Sequence, residues 1–269
     1  MFAVNHISSL DLPELQPYAT MRRPLEQERQ GIFVAEGEKV VRRLLESRFE
    51  VVSVLLPEKH LENFRPLLAA RPENLNVFLA EKKLLEQLVG FSMYQGVLAV
   101  GKIPLPASLD GILQNSPKPL MLVAVDGLTN AENLGALVRN CVAFGAQALI
   151  VGETSSSPFL RRAVRNSMGA IFDLPVVEVT SLVQSLRDLR ARGIRCVAAH
   201  PAAGGRTLAQ ADFSRDCCLV FGNEGHGISP EVLAACDEAV AIPMPPRVDS
   251  LNVATAAAVF LYEASRQRG

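Results

Sequence analysis

The chain has 269 residues, of which 49% are hydrophobic and 20% are charged. A chain of this length and composition is not wholly disordered, and it predicts a globular protein of one large domain or two. Its 27 basic and 28 acidic residues leave a net charge of −1. That balance argues against a general polyanion-coating protein, but it is compatible with local basic clusters that bind RNA.

The sequence shows neither a membrane segment nor an export signal. No apolar run approaches the ~18 residues that a membrane-spanning helix needs. The first residues lack a basic region followed by an apolar core. The five cysteines follow no zinc-binding spacing, so we expect buried, reduced thiols and no metal site. The sequence thus predicts a cytoplasmic protein.

Short apolar strands alternate with amphipathic helices in the first 105 residues. The predicted strands are 32–35, 51–56, 77–79 and 96–100, and the predicted helices are 38–47, 61–70 and 81–89. A proline-rich stretch then predicts a linker at 106–117. We therefore expect a small α/β domain over residues 1–105.

Residues 118–269 alternate more strongly between the two patterns. The predicted strands are 120–125, 148–151, 174–179, 195–199, 218–221 and 239–242. The predicted helices are 133–143, 160–168, 181–192, 230–236 and 252–267. This alternation predicts an α/β domain with a mostly parallel sheet and helices on both faces.

Three unusual segments follow predicted strands of this second domain: 126–139, 222–229 and 243–253. Because ligands of open parallel sheets bind at the carboxyl ends of the strands, these segments are candidates for a ligand site. Arg139 lies about 130° from the middle of its helix's apolar stripe and therefore points away from the sheet. A surface arginine, a tight turn and a rigid connection are the structural alternatives for the three segments.

Several common enzyme classes lose support because their motifs are missing. The sequence contains no G-x-x-x-x-G-K-[ST] phosphate loop, and no G-x-G-x-x-G opens the first βα turn of either part. It also lacks a serine elbow, an H-E-x-x-H motif and a Cys-x-x-Cys pair. These observations argue against nucleoside triphosphatases, nicotinamide enzymes, ordinary Rossmann-type methyltransferases, and serine or metal hydrolases.

Taken together, the three segments resemble the signature motifs of the SpoU (TrmH-type) branch of the SPOUT RNA methyltransferases. The matching residues are, motif by motif, Asn133, Gly135 and Arg139; 219–227; and 242–244 with 250–263. The resemblance covers roughly residues 118–267. The first 105 residues are similar, more weakly, to the small RNA-binding domain of rRNA-modifying members.

The resemblance implies a deep trefoil knot that shapes a pocket for S-adenosylmethionine. The implied cofactor-binding residues are Gly222, Asn223, Gly225, Ile242, Met244 and Leu251, with Ala199 and His200 as a further wall. Members of the family are homodimers with the active site near the subunit interface. That arrangement suits an Arg139 side chain that points away from its own core.

The implied reaction is methyl transfer from S-adenosylmethionine to a ribose 2′-hydroxyl, most favourably in large-subunit rRNA. The implied catalytic residues are Arg139, Asn133, Glu224, Ser250 and Asn252. Arginine is the family's favoured base, although a guanidinium is not expected to lose its proton. Alternatively, its charge lowers the pKa of the hydroxyl and clamps the adjacent phosphate. Many members have Ser where this chain has Ala254, and we expect no loss of activity from that change.

Substrate delivery is assigned to the first domain and to basic clusters. The candidate RNA-binding residues are Arg161, Arg162, Arg165, Arg42 and Arg43. Two other functions stay open at this point. One is the same chemistry on tRNA, and the other is a non-catalytic RNA-binding factor in ribosome assembly.

Overall fold

The computed structural model describes residues 1–9, 11–89, 96–201, 206–245 and 247–269. The strands in this part of the chain are Phe2–His6 (β1), Ile32–Glu36 (β2), Val51–Leu56 (β3), Leu75–Leu79 (β4), Leu98–Lys102 (β5), Met121–Val125 (β6), Ala148–Val151 (β7), Val176–Glu178 (β8), Arg195–Ala199 (β9), Cys217–Phe221 (β10) and Glu238–Val240 (β11). The α-helices are Gln16–Ala19 (α1), Pro24–Arg29 (α2), Glu38–Glu46 (α3), Leu61–Ala70 (α4), Lys82–Val89 (α5), Leu109–Asn115 (α6), Ala131–Ala143 (α7), Arg161–Asn166 (α8), Leu182–Ala191 (α9), Pro230–Ala235 (α10) and Val253–Arg268 (α11). Among the described residues, none of these helices combines the length and the apolar character needed to cross a bilayer.

By its contacts the chain divides into two compact units. The first comprises Met1–Leu105 and Phe159–Phe172, and the second comprises Pro106–Pro158 and Asp173–Gly269. This division differs from the predicted boundaries, which placed 159–172 in the second domain. Aromatic packing is the physical reason, because the rings of Phe159 and Phe172 both lie 5.7 Å from the ring of Phe33.

The first unit is built on a five-stranded mixed sheet in the order β1-β4-β3-β5-β2. Strand β5 runs antiparallel to β2 and β3, whereas β1, β4 and β3 are parallel. Helix α3 buries the apolar face that its sequence predicts, which consists of Val40, Val41, Leu44 and Leu45. Strand β1 was not predicted, since Phe2 alone of its five side chains is even partly buried.

The second unit is built on a six-stranded, wholly parallel sheet in the order β11-β9-β10-β6-β7-β8. Successive residues of β10 face opposite sides. Cys218 and Val220 join the apolar core that also contains residues of α9 and α10. Phe221 packs instead against Phe260 of α11, with ring centroids 5.8 Å apart. The sheet is therefore covered on both faces, which confirms the predicted parallel α/β architecture.

The segment predicted as a linker contains helix α6. Its N-cap is Ser108, whose hydroxyl accepts a hydrogen bond from Gly111 N. Leu109, Ile112 and Leu113 are spaced to share one helix face, and they pack against the core of the second unit. The linker prediction was wrong here because proline and polar content concealed a short amphipathic pattern.

The five cysteines are free and buried, as expected from the sequence. Burial raises the pKa of the Cys217 thiol to about 11 and that of Cys236 to about 12. At neutral pH these thiols are protonated, and a protonated thiol is a poor nucleophile and a poor metal ligand.

Candidate active site

The turn after β10 brings the backbone of 222 very close to that of 227. A side chain at Gly222 would place its Cβ 2.3 Å from the carbonyl carbon of Gly227, so only glycine fits. Asn223 and Gly227 exchange two backbone hydrogen bonds of 2.9 Å each. Gly227 itself has a φ of +72°, which glycine adopts without strain. The glycines of this motif therefore shape the turn.

Side-chain hydrogen bonds fix the turn to the end of strand β6. Asn223 Oδ1 accepts from the backbone N–H groups of Gly225 and His226, at 2.8 and 3.1 Å. Asn223 Nδ2 donates to Gly127 O at 2.7 Å. The buried carboxylate of Asp126 accepts from Ser229 N at 2.7 Å and so holds the other end. The sequence did not single out Asp126 for this role.

A cavity of about 300 Å³ lies beside this turn, at the carboxyl ends of the central strands. Its walls include all eight of the predicted cofactor-binding residues and two of the five predicted catalytic residues: Ala199, His200, Gly222, Asn223, Gly225, Ile242, Met244 and Leu251, with Glu224 and Ser250. The structure therefore brings segments from three distant parts of the sequence to one site. Whether they bind a cofactor there stays a prediction.

Further lining residues come from positions that sequence reasoning had assigned to packing or left without a role. They are Pro201, Phe221, His226, Gly227, Ile228, Val240, Val253, Ala256 and Phe260. Val253, Ala256 and Phe260 belong to the predicted apolar stripe of the last helix. A stripe of this kind shows burial, but it does not distinguish the core from a cavity wall.

Three motif side chains form one hydrogen-bonded chain. Asn252 Nδ2 donates to Asn133 Oδ1 at 2.9 Å, and Asn133 Nδ2 donates to Glu224 Oε1 at 2.7 Å. Asn133 lies 91 residues from Glu224 and 119 residues from Asn252 in the sequence. The three segments are therefore joined by specific polar contacts, and those of Glu224 and Asn252 also line the cavity.

Arg139 lies apart from this group. It is exposed on α7, and it is not among the residues that line the cavity. No hydrogen bond or ion pair links its side chain to any residue that the structure describes. The structure thus brings together every predicted catalytic residue except the arginine, which faces away from its own core as its helical position predicts.

The chain beyond β9 is anchored next to the cavity by backbone and ionic contacts. Leu208 N donates to Ala241 O at 2.8 Å, and Ala241 N donates to Arg206 O at 3.0 Å. The carboxylate of Glu238 pairs with Arg195 at 2.7 Å and with Arg206 at 2.8 Å. These contacts hold the segment around 206–208 beside the end of β11.

The predicted RNA-binding arginines differ sharply in their surroundings within the first unit. Arg161 and Arg165 both pair with Glu36, whose side chain is 7% exposed. Arg43 donates to Met168 O at 3.1 Å, and Arg42 lies over the ring of Phe64. Arg162 is exposed and makes no ion pair with a described residue. The geometry thus gives Arg161 a structural contact, while its predicted role in RNA binding stays a prediction.

The fold and the site together define an α/β protein with a cavity at the carboxyl edge of a parallel sheet. A model of the SpoU rRNA methylase family matches residues 120–262. The chain belongs to this family of RNA methyltransferases.

Individual relatives extend the similarity. An uncharacterized tRNA/rRNA methyltransferase of Mycobacterium avium is 35% identical over 74% of this chain and 65% of its own length. The 23S rRNA (guanosine-2'-O-)-methyltransferase RlmB of Ralstonia nicotianae is 34% identical over 78% of this chain and 84% of its own length. The chain thus spans about two thirds of the length of the first relative and most of the second.

A solved structure covers nearly the whole chain. The SpoU methyltransferase AviRb of Streptomyces viridochromogenes, crystallised in complex with the cofactor AdoMet, aligns with a TM-score of 0.83 at 28% identity. The alignment covers 96% of this chain and 99% of that one. The similarity therefore includes residues before the 120–262 region as well.

Proposed function

We propose that the protein is an S-adenosylmethionine-dependent methyltransferase that modifies a ribose 2′-hydroxyl of large-subunit rRNA. One observation carries the proposal: Asn252, Asn133 and Glu224, from three motif segments distant in the sequence, are joined by hydrogen bonds, and two of these segments line the cavity. A cavity formed only as a by-product of packing would not require this chain of polar contacts.

The cavity fits the cofactor in size and in chemistry. Its volume of about 300 Å³ falls at the lower end of small-molecule sites. Ile242, Leu251 and Phe260 provide apolar walls for a flat ring, and backbone groups of the 222–227 turn provide polar partners. The residues that would hold the cofactor are Gly222, Asn223, Gly225, Ile242, Met244 and Leu251, with Ala199 and His200 as a further wall. When bound, S-adenosylmethionine supplies a methyl group on a positively charged sulfur.

The chain's own residues must activate the ribose hydroxyl, which is a poor nucleophile when neutral. We assign that task to the charge of Arg139, because a guanidinium holds its proton at any ordinary pH. A cation beside the hydroxyl stabilises the oxygen's developing negative charge and can clamp the neighbouring phosphate. Ser250, Glu224, Asn252 and Asn133 would order the ribose and the loops around it.

A second copy of the chain would deliver Arg139 to the cavity. Helices α7 and α11 pack together through the bond from Asn140 Nδ2 to Ala254 O, at 2.7 Å. On these helices Arg139, Val259 and Tyr262 are exposed, and Tyr262 is 57% exposed. Exposed apolar side chains, together with a cation that pairs with no described residue, suit a homodimer in which Arg139 reaches the cavity of the second copy.

Ribosomal RNA is the substrate we favour. The relative from Ralstonia nicotianae carries the name of a 23S rRNA 2′-O-methyltransferase. The present chain also has a first unit with exposed arginines, including Arg43 and Arg162. Single-stranded loops are the expected targets, because their riboses are accessible.

The trefoil knot and the cytoplasmic location also belong to this proposal. In the sheet order β11 lies outside β9, whereas the following helix α11 returns to pack on Phe221 of β10. The segment around 206–208 is hydrogen-bonded to Ala241, directly after β11.

The test is to map ribose methylation in total RNA from cells with and without the gene. We expect one 2′-O-methyl mark to disappear from large-subunit rRNA and to return when the wild-type gene is restored. Loss of a tRNA mark instead would move the substrate to tRNA. An unchanged map, together with cofactor binding by the purified protein, would favour a non-catalytic RNA-binding factor.

A further inference from the structure

The hydrogen bonds among the three motif side chains have a single direction, which is set at one end. Asn252 Oδ1 accepts from the backbone N–H groups of Ala254 and Thr255, at 3.0 and 3.3 Å, as the N-cap of α11. Its NH₂ group therefore faces the other way and donates to Asn133 Oδ1. With its oxygen occupied in this way, the Asn133 amide can only present its NH₂ group to Glu224.

The side chain of Asn133 plays no part in capping its own helix. Asn130 is the N-cap of α7, and its Oδ1 accepts from the backbone N–H groups of Glu132 and Asn133, at 2.9 and 3.1 Å. Both hydrogen bonds of the Asn133 side chain go to other segments of the chain. The Asn133 amide therefore connects Asn252 with Glu224, and Asn130 alone caps the helix.

We propose that Asn252 and Asn133 are positioning residues that hold Glu224 as a one-way hydrogen-bond acceptor at the cavity. Glu224 Oε1 receives the bond from Asn133, and Oε2 is left to accept from an N–H or O–H group of a bound ligand. Glu224 lines the cavity, so a molecule bound there can donate a hydrogen bond to Oε2. The identity of that ligand rests on the proposed function, whereas the direction of the hydrogen bonds among the three side chains does not.

The direction of the hydrogen bond from Asn133 to Glu224 can be tested by exchanging the amide and the carboxylate between the two positions. Asn133→Asp places a carboxylate opposite Glu224 and should lower the unfolding temperature of the ligand-free protein by about 2–4 °C. Glu224→Gln keeps an acceptor oxygen for Asn133, so its unfolding temperature should stay close to that of the wild type. Asn133→Asp with Glu224→Gln restores a donor opposite an acceptor and should recover at least half of the loss.

A matched control is Asn115→Asp. Asn115 is exposed, and its amide donates only within its own helix, to Gly111 O. This variant should leave the unfolding temperature almost unchanged. A double variant no more stable than Asn133→Asp alone would overturn the proposed direction. So would a Glu224→Gln variant that unfolds as early as Asn133→Asp.

Ligand binding tests where the free oxygen of Glu224 points. The affinity of the Glu224→Gln and double variants for S-adenosylmethionine is measured by calorimetry, and the kcat and KM are measured with RNA. We expect either the affinity for S-adenosylmethionine or the kcat/KM for RNA to fall by roughly 10-fold or more. A loss of calorimetric affinity assigns the donor to the cofactor, and a loss confined to the RNA kinetics assigns it to the ribose. If neither the cofactor affinity nor the RNA kinetics changed, the proposal that Oε2 accepts from a bound ligand would be refuted. A wild-type protein that methylates no RNA would refute the proposed function while leaving the stability pattern intact.

Discussion

Two arginines on neighbouring helices of the sequence, Arg139 on α7 and Arg161 on α8, have opposite surroundings. Arg161 is 12% exposed and paired with the buried carboxylate of Glu36, so its charge is used within the fold. Arg139 is exposed and has no charged partner among the described residues. Residue type and sequence position therefore do not by themselves identify a functional cation. An exposed charge with no partner among the described residues is the more informative feature.

The largest effect is expected from Arg139→Ala. Removing a cation that stabilises developing negative charge should lower kcat by about 10²–10³-fold, while the unfolding temperature stays unchanged because the side chain is exposed. Arg139→Lys should keep part of the activity if the charge is what matters. Single-turnover methylation of RNA with labelled cofactor measures this effect.

Arg187→Ala is the control for that experiment. Arg187 is an exposed arginine on α9, outside the cavity lining. Its removal should leave the methylation rate within error of the wild type. Equal rates for Arg139→Ala and the wild type would mean that the unpaired arginine is only a surface residue.

Breaking the ion pair of Arg161 with Glu36 should change the stability of the protein instead of its activity. Glu36→Ala leaves Arg161 nearly buried without its carboxylate, which should lower the free energy of unfolding by about 3 kcal/mol. Arg165→Ala removes the 55%-exposed partner of the same carboxylate, and the expected loss is less than about 1 kcal/mol. Urea denaturation at pH 7 measures both. A Glu36→Ala protein as stable as the wild type would contradict the structural role given to Arg161.

A second ion pair, between the buried Arg71 and the half-buried Glu73, gives a pH-dependent version of this prediction. Hydrogen bonds from Arg71 lower the pKa of Glu73 to about 2. A carboxyl whose pKa is lowered by folding stabilises the protein above its unfolded pKa of about 4.3, and that stability is lost as the pH falls towards the folded value. Glu73→Gln should therefore cost about 1–3 kcal/mol at pH 7 and almost nothing near pH 2. A difference from the wild type that stays constant over this range would show that the ion pair is not its source.

The smallest effect is expected from Arg162, which is exposed and, unlike Arg161 and Arg165, makes no ion pair with a described residue. Arg162→Ala should weaken RNA binding only a few-fold, and it should reduce the slope of log affinity against log salt by roughly one phosphate contact. Arg161→Ala should change stability while leaving that slope unchanged. Binding measured at four or five salt concentrations separates the two. Identical slopes for Arg162→Ala and the wild type would remove Arg162 from the RNA-binding surface.

The elements that sequence reasoning located well are those with a strong pattern of their own. Helix α11 buries Val253, Ala257, Phe260 and Leu261, as its spacing predicts. Strand β1 was missed because its side chains are mostly exposed and no apolar alternation marks it. Helix α6 was mistaken for a linker because prolines flank its short apolar face.

Sequence patterns also fail to predict contacts between side chains of the site that lie far apart in the sequence. The motifs identified Asn133, Glu224 and Asn252 as residues of interest, but not the direction of the hydrogen bonds among them. That direction depends on Asn252 being the N-cap of α11 while Asn133 caps no helix, and this is a property of the folded backbone. The pairing of Glu36 with Arg161 spans 125 residues and leaves no local signal in the sequence. Contacts of this kind become visible only when the chain is folded.

A mixed-subunit experiment tests most directly the claim that one chain forms the cavity and a second copy supplies its cation. Leu251→Trp obstructs the cavity of one chain, Arg139→Ala removes the cation of the other, and each variant alone should be inactive. After the two are unfolded and refolded together, half of the dimers contain one of each, and each such dimer has one intact site. We expect recovery of about a quarter of the wild-type methylation rate. A mixture that remains as inactive as its components would contradict it.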